Sequence, residues 1–128
     1  MRVAVRSFVV AMSLGVAALA AFAGERPFSQ GAFDKALADG KPVVVDFAAS
    51  WCPTCKQQKP IVQGLANEAS RQSLTIFVAD FDKEAALKKQ LNVTMQSTLV
   101  AFKGGKEVAR STGQTDKAEL GALLDKAL

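Results

Sequence analysis

Histidine is absent from all 128 residues. Its absence removes the Ser-His-Asp triad, the Cys-His nucleophile pair, the HExxH zinc site and c-type haem attachment, since each needs an imidazole. Cysteine is scarce. Two residues are too few for a disulfide-rich scaffold or a four-thiolate zinc site, but they suffice for one bridge. No low-complexity run, repeat or linker interrupts the chain after Ala23, and no basic stripe interleaved with aromatics appears, so nucleic acid is not an expected partner. What is present is ordinary for a folded domain. Hydrophobic residues make up 49% and charged residues 22%, enough for one domain with a modest core.

The formal charge of +4 is partly a property of the first 23 residues. Arg2 and Arg6 form a positive start, Phe8 to Leu19 an apolar stretch, and Ala21-Phe22-Ala23 a small-x-small cleavage site, the pattern of a secretory signal peptide. The alternative is a retained membrane anchor. Phe8–Ala23 is 16 residues long, short of the roughly 20 that a spanning helix needs, which favours the cleaved signal. The expected division is therefore a signal peptide at 1–23 and one domain at 24–128. Cleavage would remove two of the 16 basic side chains and none of the 12 acidic ones, halving the net charge. Export would place the domain outside the cytoplasm, where a cysteine pair can exist as a disulfide.

Within 24–128, Phe33, Ala36 and Leu37 recur at helical spacing between a Ser29 N-cap and Gly40. Pro42 to Ala48 is a nearly continuous β-branched run suited to a strand buried on both faces. A helical pattern follows, carrying Ile61, Val62, Leu65 and Ala66 and interrupted by Pro60, where a kink is expected. Leu74 to Ala79 reads as a second strand and Glu84 to Leu91 as a short helix. Thr98–Lys103 and Lys106–Ser111 flank Gly104-Gly105 as a hairpin, and Asp116 with Glu119 opens a last helix as an approximate capping box. With a small strand near Pro27-Phe28, this order predicts an α/β fold: a mixed sheet flanked by helices on both faces.

The most informative residues lie where the first long strand meets a helix start. In Trp51-Cys52-Pro53-Thr54-Cys55, the spacing puts Cys52 at the helix N-terminus and Cys55 one turn in, on the same side. Free N–H groups and the helix dipole there stabilise a thiolate at Cys52, and Cys55 is close enough to resolve a mixed disulfide. Pro53 suits the first turn because it has no N–H to leave unpaired. The competing readings are an inert bridge or half of a metal knuckle. A four-residue loop gains little by closure, and no second ligand pair accompanies the cysteines, so dithiol exchange is favoured. Asp46, between Val45 and Phe47, is costly in a core strand unless it has a task or partners. It is a candidate base with a raised pKa, or else an aspartate that caps a strand end. Trp51 either packs ordinarily or walls the thiols.

Val43-Val44-Val45-Asp46-Phe47-Ala48-Ala49-Ser50-Trp51-Cys52-Pro53-Thr54-Cys55-Lys56 resembles the active-site strand and motif of the thioredoxin family, with Pro60 at the family's helix kink. Asn92 to Lys106 is similar to its substrate-loop strand and hairpin. The resemblance spans Phe28–Leu128. It implies the thioredoxin fold, attack by Cys52, resolution by Cys55, proton transfer by Asp46, and a substrate surface of Trp51, Pro53, Thr54, Gln96, Ser97 and Thr98. Three positions depart from the family's pattern. Ser97 stands where a cis-proline usually faces the cysteines, Val78 replaces the lysine that often accompanies the buried aspartate, and the dipeptide is Pro53-Thr54. A cis bond without proline costs about 2.5–4 kcal/mol, so Gln96–Ser97 is expected to be trans.

The reading that follows is a periplasmic thiol-disulfide oxidoreductase that reduces protein disulfides and needs no cofactor. Its expected partners are disulfide-containing proteins and a membrane electron donor, and a monomer is expected. The alternative is a periplasmic Cu(I)-binding chaperone using the same cysteines and Met95, soft ligands that suit that ion.

Overall fold

The computed structural model describes residues 24–128; the segment read above as a signal peptide, 1–23, lies outside the described residues. The element order is β1 (Gly24–Pro27), α1 (Gln30–Ala38), β2 (Val43–Ala48), α2 (Pro53–Ala66), a 3-10 turn at Ala69–Arg71, β3 (Thr75–Asp80), α3 (Ala85–Leu91), β4 (Thr98–Lys103), β5 (Lys106–Thr112) and α4 (Lys117–Lys126). The five strands form one sheet in the order β1-β3-β2-β4-β5. β1, β3 and β2 run parallel, while β4 and β5 run antiparallel to their neighbours. This is the thioredoxin fold.

Local chemistry explains the boundaries. Ser29 caps α1 by accepting from the Ala32 N–H, and Asp116 caps α4 by accepting from the Glu119 N–H at 2.9 Å. Gly40, at φ +66°, turns the chain after α1 with its N–H on the Leu37 carbonyl. Gly104 and Gly105 both adopt positive φ in the β4–β5 hairpin, as a two-residue turn of this kind requires. A side chain at Gly105 would also meet the Leu37 carbonyl oxygen at 3.0 Å. The small strand expected near Pro27-Phe28 is Gly24–Pro27, paired with Thr75–Val78. Just past the strand, Phe28 still donates its N–H to the Val78 carbonyl at 2.9 Å, and its ring packs tilted on Phe33 and edge-on to Phe77. α2 continues through Pro60.

The period of two in β2 separates the two halves of the core. Val43, Val45 and Phe47 point into one cluster with Phe33, Phe77, Leu87 and Phe102. Val44 points into the other, with Val62, Leu65, Ile76, Leu99, Leu120 and Leu124. Asp46 shares the phase of Val44 and is thereby aimed at the side of the sheet that α2 covers. Among the described residues, no helix is long and apolar enough to cross a membrane.

Candidate active site

Cys52 is the N-cap of α2, and its sulfur accepts the Cys55 N–H at 3.1 Å. Pro53 occupies the first turn, where a missing N–H costs nothing. The two cysteines form a disulfide, with Cα atoms 5.3 Å apart. Both are buried in the oxidised pair, Cys52 at 1% exposure and Cys55 at 8%, so burial does not rank Cys52 as the more accessible sulfur. Its distinction is its place at the helix start, where unpaired N–H groups favour negative charge.

Ser97 covers the pair from the opposite side. Its hydroxyl oxygen lies 3.1 Å from the Cys52 sulfur and 3.0 Å from the Cys55 sulfur. The described residues contain no cis peptide bond, so Gln96–Ser97 is trans, and Ser97 itself takes φ +62°. Three hydrogen bonds hold this backbone. The Ser97 N–H donates to the Phe47 carbonyl at 2.8 Å, and the Ser97 carbonyl accepts from the Gly113 N–H at 3.0 Å and from Gln58 Nε2 at 3.3 Å. Gln58 Nε2 also donates to the Gln114 carbonyl at 2.7 Å. Gln58 was missed in the sequence. A readable signal existed, because Cys55, Gln58, Val62 and Leu65 make one helical stripe and an amide in such a stripe needs buried partners.

Asp46 lies within β2 rather than at its end, and among the described residues no hydrogen bond reaches its carboxylate. A strand-end cap is therefore not what the geometry describes. Burial pushes the Asp46 carboxyl up to about 7, with the negative charge of Glu25 adding to the effect. Asp46 and Cys55 line the same cavity of about 610 Å³, whose walls include Glu25, Val78, Lys56 and Lys59. Its place beside both groups gives a proton a route between carboxyl, solvent and thiol.

The remaining expected residues divide. Trp51 is 55% exposed, and its indole N–H donates to Asp82 at 2.8 Å, which fixes the ring at the rim of the site. Pro53 is exposed; Thr54 and Gln96 are half-buried. Thr98 is buried, its hydroxyl donating to the Met95 carbonyl at 2.8 Å and pairing with the Thr112 hydroxyl, so it braces the loop from within. The Met95 side chain is exposed. Among the described residues no group of three or more Cys, Asp or Glu side chains is gathered as a metal site.

Comparison with known proteins agrees with the geometry. A thioredoxin family model matches residues 26–126. The thioredoxin of Chlamydia trachomatis is 40% identical over 98 residues, covering 77% of this chain and 93% of the relative. Thioredoxin-2 of Saccharomyces cerevisiae is 38% identical over 87 residues, covering 67% and 82%. Among solved structures, Trxlp from Edwardsiella tarda matches with a TM-score of 0.77 at 39% identity, covering 79% of this chain and 98% of that one. The chain belongs to the thioredoxin family and, with Cys52 and Cys55 bridged at the start of α2, is a thioredoxin-like thiol-disulfide oxidoreductase.

Proposed function

We propose that the protein works in the periplasm as a reductant of protein disulfides, resupplied with electrons by a membrane donor. The observation that carries the reading is the Cys52 sulfur at the N-cap of α2, with the Asp46 carboxyl opening into the same cavity as Cys55. The signal-like segment 1–23 supports the location. The absence of histidine from the Pro53-Thr54 dipeptide supports the direction, because no imidazolium stabilises the Cys52 thiolate as it would in a strong oxidant.

In the forward reaction the Cys52 thiolate attacks one sulfur of the substrate disulfide, and the other leaves as a thiolate that takes a proton. The Asp46 carboxylate removes the Cys55 thiol proton through a water in the cavity. The Cys55 thiolate then attacks the Cys52 sulfur, the S–S bond to the substrate breaks, and the second substrate thiolate is protonated. The substrate gains two electrons and two protons, and the protein is left as the Cys52–Cys55 disulfide. A Cu(I)-carrying role is favoured by one observation, the exposed Met95 thioether in the Ser97 loop.

Insulin reduction by the 24–128 protein, supplied with dithiothreitol, tests the chemistry, and fractionation of cells expressing the full chain tests the location. Turnover well above the uncatalysed rate and release into the periplasmic fraction are expected. A protein inert towards insulin that binds one equivalent of Cu(I) under anaerobic conditions would favour the copper reading.

A further inference from the structure

The Ser97 hydroxyl has an unusual set of neighbours. Ser97 is 2% exposed, and the only hydrogen-bond partners its side chain has among the described residues are the two active-site sulfurs. A disulfide sulfur is a weak acceptor, so a buried hydroxyl facing two of them is poorly satisfied. The backbone that carries it is fixed, because the Ser97 N–H and carbonyl are tied to Phe47, Gly113 and Gln58. The residue also keeps φ +62°, a conformation that side-chain-bearing residues seldom adopt. An outlier held by three hydrogen bonds beside the reacting atoms points to function.

Reduction changes the acceptor. A thiolate at Cys52 takes a charge-assisted hydrogen bond, about twice as strong as a neutral one. The oxygen of the same hydroxyl keeps lone pairs free to accept from the Cys55 S–H. We propose that the Ser97 hydroxyl is a catalytic bridge between the sulfurs: in the reduced protein it donates to the Cys52 thiolate and accepts from the Cys55 thiol. A proline at this position would supply neither bond. The bridge stabilises the dithiol form more than the disulfide, making the protein less reducing than it would be without the hydroxyl. Other charges act on the pair from different sides. Asp46 on β2, Glu25 on β1 and Asp80 on β3 oppose the thiolate, Lys56 and Lys59 on α2 favour it, and Asp82 is held by Trp51. Removing the Ser97 hydroxyl changes none of these charges.

The bridge rests on Cys52 being the attacking thiolate, and the test separates the two ideas. In reduced 24–128 protein, alkylation by iodoacetamide is followed against pH, with the modified cysteine identified by mass spectrometry. The glutathione equilibrium is measured in parallel. Ser97→Ala should slow Cys52 alkylation about tenfold below its midpoint and raise the midpoint by about one pH unit. It should shift the glutathione equilibrium about tenfold towards the disulfide, or roughly 30 mV more reducing. Ser97→Thr, which keeps the hydroxyl although its β-branch strains the positive φ, should stay closer to the parent than Ser97→Ala does in both measurements. Ser97→Gly removes the hydroxyl and also relieves the positive φ, so it gives the same readout if the alanine variant does not fold. A Cys52 profile and redox equilibrium unchanged in the alanine or glycine variant would overturn the bridge. Alkylation that maps first to Cys55 in the parent would instead overturn the order of attack.

Discussion

Asp46 and Val78 face each other across the parallel pairing of β2 with β3, so a carboxylate and an isopropyl group share one face of the sheet. Neighbouring strands contribute no cation at this spot, since the antiparallel partner of Asp46 is Leu99. The raised carboxyl pKa follows from that apolar framing, and the charge of Glu25 adds to it.

Stability should therefore fall as pH rises through the acid range. Below the ordinary aspartate value of 3.8 the carboxyl is protonated in both the folded and unfolded states. Between there and about 7 the unfolded chain ionises Asp46 while the folded protein holds it neutral, and the penalty grows until the folded group also ionises. At 1.36 kcal/mol per pKa unit the full penalty is on the order of 4 kcal/mol, an upper bound. Asp46→Asn should remove the penalty, raising stability at pH 8 by about 2–4 kcal/mol while slowing release from mixed disulfides. Urea unfolding at pH 4 and pH 8 checks the sign, and equal stability of parent and variant at both values would contradict it.

Val78→Lys should act on the same group from outside. A lysine in register with Asp46 places an ammonium near the carboxylate, favouring its charged form and lowering its pKa by at least about one unit. Carboxyl carbon chemical shifts followed against pH report the midpoint directly. An unmoved midpoint would mean that the new side chain turns to solvent.

The order of attack predicts an asymmetry between the cysteines. Cys55→Ser should accumulate mixed disulfides through Cys52, because the resolving thiol is gone, whereas Cys52→Ser should trap few. Non-reducing gels of protein recovered from oxidised substrate distinguish the two. Equal trapping by both variants would contradict the roles assigned.

Gln58 supports the site from behind. Gln58→Ala removes the donor to the Ser97 and Gln114 carbonyls and should cost about 1–3 kcal/mol, since buried acceptors lose a partner. Hydrogen exchange at the Gly113 amide, which donates to the same Ser97 carbonyl, should accelerate. Unchanged exchange would show that the loop is held without Gln58.

How much of this was readable in the chain depends on the range of the interaction. Caps at Ser29 and Asp116, the glycine hairpin and the Cys52 helix start depend on residues within four positions of one another, and each lies where the pattern puts it. The apolar run of β2 announced its buried strand. Strand ends were displaced by a residue or more where pairing decides them, as at Gly24–Pro27, whose ladder belongs to residues some fifty positions later. The Gln58 amide, the Asp82 acceptor for Trp51 and the Glu25 charge beside Asp46 are contacts between distant segments. No local pattern encodes such partners. Ser97 was singled out as an unfamiliar residue at a sensitive place, yet only the folded loop discloses that its oxygen touches both sulfurs.

The alternation along β2 also sets which changes of chain length the protein can absorb. Asp46 faces α2 because it is in phase with Val44, and six positions later the chain must deliver Cys52 to the helix start. Losing one residue from the strand interior would exchange the two faces on one side of the gap, sending a carboxylate among phenylalanines or a valine towards the thiols. Losing two would restore the phase but draw the ends together by roughly 7 Å. Insertions and deletions are consequently barred from Val43 to Cys52, whereas the exposed turn at Gly104-Gly105 is limited chiefly by its contact with Leu37. The distance from carboxylate to thiol is thereby locked to the pleat of β2.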